Sequence, residues 1–486
     1  MLENFTRFNL RYLLKFLFSI MLICAMFSCK DDEEVLDESE ENVAIPNQSI
    51  EDEYGRTLIL HGWNTSSSAK VHPERQPWIE EADVEREYAD FGNNFVRYLI
   101  FWDGVEAVQG VYDEAYLDKV EERVNWYTSR GMYVMLDMHQ DLYSIVFGGD
   151  GAPEWAIQTN GHPIDGNIDG PWWLQNVNPA VIACWTNFWQ YSNYQYLQDH
   201  YIAMWQHVVD RFKDNPYVIG YDLMNEPWGG DLIQTFITGD FERYQLAAFY
   251  NRLVPAIRDI DPDGYIFVEP APAPVTFGAP SRLPKIEDVR PDPRIVYAPH
   301  CYPYDTHEGI GYTYGSKVNL RDWERERKKE VLKYGRIPLV CGEFGLSPYQ
   351  DGFDEYLIDV MEVFDRNRWN WAYWSSDLGG WGPLDANKDE SPILDYIVRT
   401  YPKATSGILY NFELDWDTKT FTMQFESTNT GKPTEIFIPQ RHYPNGWELF
   451  VDGTENYSEN YNSANQTLSL DISDYGKMIN VQIIAK

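Results

Sequence analysis

From Thr57 onward, short apolar runs alternate with amphipathic stretches. The runs open at Thr57 (TLIL), Phe95 (FVRYLI), Tyr133 (YVMLDM), Val218 (VIGYDLM), Tyr265 (YIFV), Ile295 (IVY), Pro338 (PLVC) and Trp371 (WAYW). They lack the period-2 alternation of a strand with one wet face, as expected for parallel strands buried on both faces. Between them, Leu117, Val120, Val124 and Tyr127 share one helical face that stops at Gly131, and the charged stretch Arg321–Tyr334 closes at Gly335. Eight strand–helix units in series predict a (β/α)8 TIM barrel of the α/β class. A doubly wound sheet is the runner-up, but no glycine-rich phosphate loop follows the first run.

The spacing of the runs adds an insertion. Starts at residues 57, 95 and 133 are evenly spaced, whereas the fourth waits until 218. The excess, roughly Leu142 to Asn193, holds Trp155, Trp172, Trp173, Trp185 and Trp189. Loops after barrel strands build the active-site face, so this insertion reads either as a substrate-binding wall or as a loop packing its own small core. Past Tyr401 the pattern changes to alternating runs (ILYNFEL, FTMQF, EIFIP, WELFVD, LSLDIS, INVQIIA) between Asn, Gly and Asp turns. That predicts an antiparallel β-sandwich. The expected organisation is a barrel over 54–405 and a sandwich over 406–486.

The N-terminus reads as targeting. Arg7, Arg11 and Lys15 precede an apolar run from Phe16 to Phe27, too short for a membrane span but suited to a secretory signal. Ser28-Cys29 at its end resembles a lipobox, with Cys29 the lipidated first residue after removal of 1–28; plain signal-peptidase cleavage is the alternative. Residues 29–53 read as an acidic, flexible tether, similar to the export signal of surface lipoproteins. The expected location is the cell envelope, as an outer-membrane lipoprotein exposed at the surface and tied to the membrane by its N-terminal lipid; a secreted or periplasmic protein is the alternative.

Composition narrows the partners. Thirty-nine Lys and Arg against 76 Asp and Glu leave a net charge of −37. Nucleic acid is excluded as a partner, because binding needs a basic face. A chain that is 44% hydrophobic and 16% aromatic is not disordered. Beyond Cys29, only Cys184, Cys301 and Cys341 remain, which is no disulfide framework.

The chemistry gathers at two glutamates. The fourth run ends in Asn225-Glu226-Pro227 and the seventh in Gly342-Glu343-Phe344. Both carboxylates fall at the C-terminal ends of predicted barrel strands, where this fold places catalytic groups. Runs four and seven lie on opposite sides of the mouth, so the two can face each other across a bound bond. Retaining glycoside hydrolysis needs such a pair, a protonated Glu to donate to the leaving oxygen and an ionised one to attack the anomeric carbon. Structural ion pairing is the bland alternative for either residue alone.

Longer strings extend the picture: GWNTSSSAK (62–70), FVRYLIFWDGVEAVQG (95–110), LDMHQDLYS (136–144), GAPEWA (151–156), YDLMNEPWGG (221–230), PHCYP (299–303), LVCGEFG (339–345) and YWSSD (373–377). Together they resemble glycoside hydrolase family 5, retaining and of clan A, and within it the endoglycoceramidases, from about Leu58 to Tyr401. The resemblance implies Glu226 as acid/base and Glu343 as nucleophile. It further implies Asn225 at the 2-hydroxyl of the cleavage-site sugar and Tyr302 holding the nucleophile. His139 and Asp141 would read hydroxyls of the glucose next to ceramide, with Lys70 nearby and Trp374 as the floor beneath that sugar. Arg97 and His300 are expected as support. Trp228 and Cys301 depart from the residues expected beside these motifs. No cofactor is implied, and no metal: His61 has no His-x-His partner, and Asp137 with His139 does not make a site.

The expected activity is a retaining endo-β-glycosidase that cuts between glycan and ceramide of a glycosphingolipid. A β-glucosidase of glucosylceramide or steryl glucosides, a cellulase-like enzyme on soluble glucans, and a non-catalytic surface glycan-binding lipoprotein are the alternatives. Oligomeric state is not legible.

Overall fold

The computed structural model describes residues 48–166, 168 and 170–486. The signal segment, Cys29 and the tether as far as 47 lie outside the described residues. Strands β1 (Thr57–Leu58), β2 (His61–Asn64), β3 (Phe95–Phe101), β4 (Tyr133–His139), β5 (Val218–Asp222), β6 (Tyr265–Val268), β7 (Ile295–Tyr297), β8 (Val340–Phe344) and β9 (Asn370–Tyr373) come first. Eight of them, β2 to β9, form one parallel sheet in the order β7-β6-β5-β4-β3-β2-β9-β8. Parallel bridges from Tyr297 to Leu339 and from Cys301 to Phe344 join its two ends into a barrel.

Strand β3 shows why the runs carry no alternation. All seven of its residues are buried. Val96, Tyr98 and Ile100 belong to the core shared with the surrounding helices, whereas Phe95 belongs to a cluster with Met135, Phe267, Val296 and Val340 inside the barrel. Both faces are dry, so both are apolar except where a buried charge has a purpose.

Three expectations at the edges of the barrel are corrected. The run at Thr57 is not its first strand: β1 pairs antiparallel with β10 (Tyr401–Thr405), and the barrel strand is the following His61–Asn64. Residues 401–405, placed with the barrel by sequence, likewise sit in a sandwich sheet. The last residues of the supposed flexible tether are packed. Ile50 is fully buried in the interior cluster with Leu58 and Leu60, Glu51 bridges Thr57, and the Gln48 N–H donates to the Arg336 carbonyl at 2.8 Å. A buried isoleucine overrides the acidic character of its neighbours, because burying its side chain is worth roughly 1.5–3 kcal/mol.

The remaining strands are β11 (Gly407–Leu414), β12 (Phe421–Ser427), β13 (Thr434–Phe437), β14 (Trp447–Asp452), β15 (Tyr457–Asn462), β16 (Thr467–Ile472) and β17 (Met478–Ala485). They make two antiparallel sheets, β1-β10-β13-β16-β15 and β11-β12-β17-β14. Gln466 of this sandwich donates to the Ala89 carbonyl at the end of a barrel helix, and Phe437 lies against Gly92, which has no side chain to keep it away.

The insertion after β4 mostly packs its own core. Trp185 and Trp189 are buried and stacked 5.8 Å apart, and Trp155 meets Trp102 edge-on. Trp172 is 54% exposed, and it lines the mouth together with Trp173. Among the described residues, no helix is long and apolar enough to cross a membrane.

Candidate active site

At the C-terminal ends of the barrel strands lies a cavity of about 2270 Å³. Glu226, Glu343, Asn225, Tyr302, Lys70, Asp141 and Trp374 of the expected set line it. Arg97, His139 and His300 are buried behind its wall.

Arg97 is the centre of the site. It points inward from β3 with no solvent exposure. Its Nη1 donates to Asn64 at 3.0 Å and to Glu343 Oε1 at 2.9 Å; its Nη2 donates to Asn225 and Glu269, both at 2.8 Å. Nε binds Asp222 at 2.9 Å, and Asp137 forms a further ion pair at 3.0 Å. Burial opposes its charge, but Asp137, Asp222, Glu269 and Glu343 together hold it protonated. One guanidinium on β3 thus fixes groups from β2, β4, β5, β8 and the end of β6, using the planar fork that lysine lacks.

Glu343 sits on β8 with both oxygens engaged: Oε1 by Arg97, and Oε2 by the Tyr302 hydroxyl at 3.0 Å. Glu226 follows β5 in a left-handed backbone conformation (φ 43°), a costly state for a side chain with a Cβ. Gln140 Nε2 donates to the carbonyls of Asn225 and Glu226 at 2.8 and 2.9 Å, and Glu269 Oε2 accepts the Glu226 N–H at 2.8 Å. One oxygen of Glu226 and one of Glu343 lie within 4.8 Å of each other, with His300 beside both.

His300 sets the charge on this pair. Its Nδ1 is 2.9 Å from Glu226 Oε1 and 3.6 Å from Glu343 Oε2, and its Nε2 is 3.3 Å from Glu269. Burial disfavours the imidazolium, but these three carboxylates raise it well above the ordinary histidine range. Burial also pushes up both catalytic candidates. At Glu226 the hydrogen bond and charge of His300 outweigh it, leaving that carboxyl below the usual range; at Glu343 burial prevails over His300 and Arg97, and the carboxyl lies above it. This reverses the order expected from sequence, in which Glu226 starts protonated and Glu343 ionised. The 2.9 Å bond between Glu226 and His300 therefore favours a proton on His300 over one on Glu226.

On the opposite wall, Lys70 binds Asp141 at 2.6 Å and lies 4.2 Å above the Trp374 ring. His139 stacks on Trp374 with ring centres 5.5 Å apart, and its Nδ1 pairs with Asp137 at 2.7 Å. Burial and the nearby Lys70 and Arg97 keep it neutral. Its Nε2, expected to reach a sugar hydroxyl, faces Asp141 at 3.9 Å inside the wall.

Residues 51–379 match cellulase (glycosyl hydrolase family 5), and residues 399–483 match the glycoside hydrolase family 5 C-terminal domain. The chain belongs to glycoside hydrolase family 5. Endoglycoceramidase I of Rhodococcus hoagii (strain 103S) is 31% identical over 414 residues, covering 83% of this chain and 80% of that protein. The structure of endo-glycoceramidase II from Rhodococcus sp. in complex with ganglioside GM3 superposes with a TM-score of 0.84 at 35% identity, covering 91% of this chain and all (100%) of the other. The lactosyl-enzyme intermediate of that protein gives 0.82 at 35% identity, covering 90% and 100%.

Among the described residues of this family 5 hydrolase, three groups have metal-ligand chemistry: His139 with Asp141 and Asp150, Glu226 with His300 and Glu343, and Asp137 with Asp222 and Glu269. Protein cations already serve each: Lys70 at Asp141, His300 in the second and Arg97 in the third. The two departures from the family pattern are structural. Trp228 lines the cavity and its carbonyl accepts the Trp189 indole N–H at 2.7 Å, while Cys301 is buried at the barrel closure. Asn64, Asp222, Gln140 and Glu269 were missed as site residues. The signal for Glu269 was present, since Glu269-Pro270 follows its strand as Glu226-Pro227 follows another. Asp377, which accepts from the Ser66 and Ser67 hydroxyls at 2.6 and 2.8 Å, binds the loops after β2 and β9 together.

Proposed function

We propose that this hydrolase cleaves the bond between glycan and ceramide in glycosphingolipids with retention of configuration. The observation that carries the reading is the approach of Glu226 and Glu343 to within 4.8 Å, close to the separation of about 5 Å that double displacement needs. Glu343, oriented by Arg97 and Tyr302, attacks the anomeric carbon. Glu226 protonates the departing oxygen, then removes a proton from the water that hydrolyses the glycosyl-enzyme. Asn225 lines the cavity beside Glu226; its Oδ1 is held by Arg97 and its amide donates to the Gln140 carbonyl at 3.0 Å, which leaves its second amide hydrogen for the sugar's 2-hydroxyl. Trp374 supplies the flat face for that sugar, with Lys70 and Asp141 at its hydroxyls and His139 bracing Trp374 from within.

The cavity's composition supports a lipid aglycone. Its lining divides between polar or charged side chains, among them Ser66, Lys70, Asp141 and Asp377, and apolar ones, among them Trp172, Leu174, Phe236, Ile237, Val275 and Phe277. An amphiphile with a sugar head and apolar tails matches that division. The N-terminal pattern supports anchoring through Cys29 at the cell surface, and Cys29→Ala would then release the protein from the membrane fraction.

The test is a panel of glycosphingolipids of increasing glycan length, with free glycan and ceramide read by mass. Release of intact oligosaccharide and ceramide is expected. Turnover of the one-sugar lipid alone would instead assign a β-glucosidase, and turnover of soluble glucans alone a cellulase-like enzyme.

A further inference from the structure

Glu269 has no part in the reaction as written above, yet it is linked to the proposed acid/base at two points, once directly and once through His300. It follows β6 directly and is 2% exposed. Oε2 accepts the main-chain N–H of Glu226 at 2.8 Å, which holds the residue in its left-handed conformation. Oε1 accepts from Arg97 at 2.8 Å and stands 3.3 Å from His300 Nε2. On the far side of that ring, Nδ1 meets Glu226 Oε1 at 2.9 Å. The result is a row of carboxyl, imidazole and carboxyl, with Glu226 at the wet end.

We propose that Glu269 is a positioning residue for the acid/base, fixing the Glu226 backbone and, as the rear anion behind His300, keeping on that ring the proton that Glu226 relays to the leaving oxygen. As the leaving oxygen takes a proton from Glu226, Glu226 takes the His300 proton across the 2.9 Å bond, which leaves Glu226 a carboxylate and His300 neutral. In the second half the Glu226 carboxylate takes a proton from the attacking water and passes it back to His300, so the row ends as it began. The charged and titratable groups facing it are Arg97, Asp137, Asp222, Glu226, His300 and Glu343. Burial pushes the Glu269 carboxyl up, but the groups that meet its oxygens are the Glu226 N–H, Arg97 and the His300 ring, all donors, and they favour the anion. A purely structural carboxylate would need only Arg97.

The inference rests on the assignment of Glu226 as acid/base, and the experiment separates the two. kcat/KM reports the first displacement, in which a poor leaving group needs protonation and an activated aryl group such as dinitrophenol does not. In Glu269→Gln, kcat/KM for a glycosphingolipid is expected to fall about 30-fold or more, that for a dinitrophenyl β-lactoside at most about 5-fold. Removing an anion makes the remaining protons easier to lose, so the basic limb of the pH profile moves to lower pH. Glu269→Asp, which keeps the charge, returns the limb toward its original position. Equal losses on both substrates with an unmoved limb, or no loss at all, would overturn the proposal. A Glu226→Ala variant that keeps full activity on the glycosphingolipid would overturn the acid/base assignment itself.

Discussion

The Tyr302 hydroxyl donates to Glu343 Oε2 across 3.0 Å while Arg97 occupies the other oxygen of the same carboxylate at 2.9 Å. Both bonds strengthen the ionised form and hold one lone pair toward the cavity. Glu343→Gln keeps the shape and removes the nucleophile: turnover is expected to fall by about 10⁴-fold or more, with glycolipid binding by calorimetry nearly intact. Tyr302→Phe removes one orienting bond, and kcat is expected to drop about 10- to 100-fold, with KM changing much less.

His300 governs the acid limb of the pH profile. As a cation it lowers both Glu226 and Glu343. Replacing it by Asn removes that charge, so both carboxyls titrate at higher pH. Glu343 must be ionised to attack, and the acid limb of kcat/KM is therefore expected to move up by about one pH unit. A limb that stays in place would show that His300 is neutral in the working enzyme.

Glu87 gives stability its own pH dependence. It is buried in the helix Glu81–Ala89, one carboxyl oxygen lacks a partner, and burial raises it to about 8 from about 4.5. A folded-state value above the unfolded one favours the native state below pH 4.5, and that contribution is lost as pH rises through 8. Glu87→Gln keeps a neutral side chain at every pH. The Tm of the variant relative to wild type should therefore climb between pH 5 and pH 9, by about 2–4 °C for each kcal/mol of relief, as read by calorimetry.

The tryptophans of the insertion should divide by position. Trp185→Ala empties a stacked, buried site and is expected to cost about 3–5 kcal/mol in denaturant unfolding. Trp172→Ala removes a half-exposed ring at the mouth; stability should change by less than about 1 kcal/mol while KM for lipid substrates rises several-fold.

What could be read in advance follows from where the signal lies. Strands β3 to β7 begin where their apolar runs begin, because burial on both faces leaves a continuous hydrophobic string. Strand β2 was invisible: His-Gly-Trp-Asn has no such string, and long-range contacts make it a strand. The Phe95 carbonyl fills the place a Cβ of Gly62 would take, and the Asn64 amide donates to the Gly342 carbonyl at 2.9 Å. The two glutamates were legible as strand-end carboxylates. The charge order between them was not, since it depends on the three distances from His300, and His300, Glu226 and Glu343 meet only through the fold. The stacking of His139 on Trp374 was not legible either, as sequence cannot tell which ring a neighbouring histidine meets.

Ile50 closes the foot of the barrel, and Gln48 is tied to Arg336 beside it, whereas the catalytic cavity opens at the other end. Residue 48 therefore lies at the end of the barrel remote from the chemistry, and a fusion partner or surface linkage joined just ahead of it would leave the mouth unobstructed.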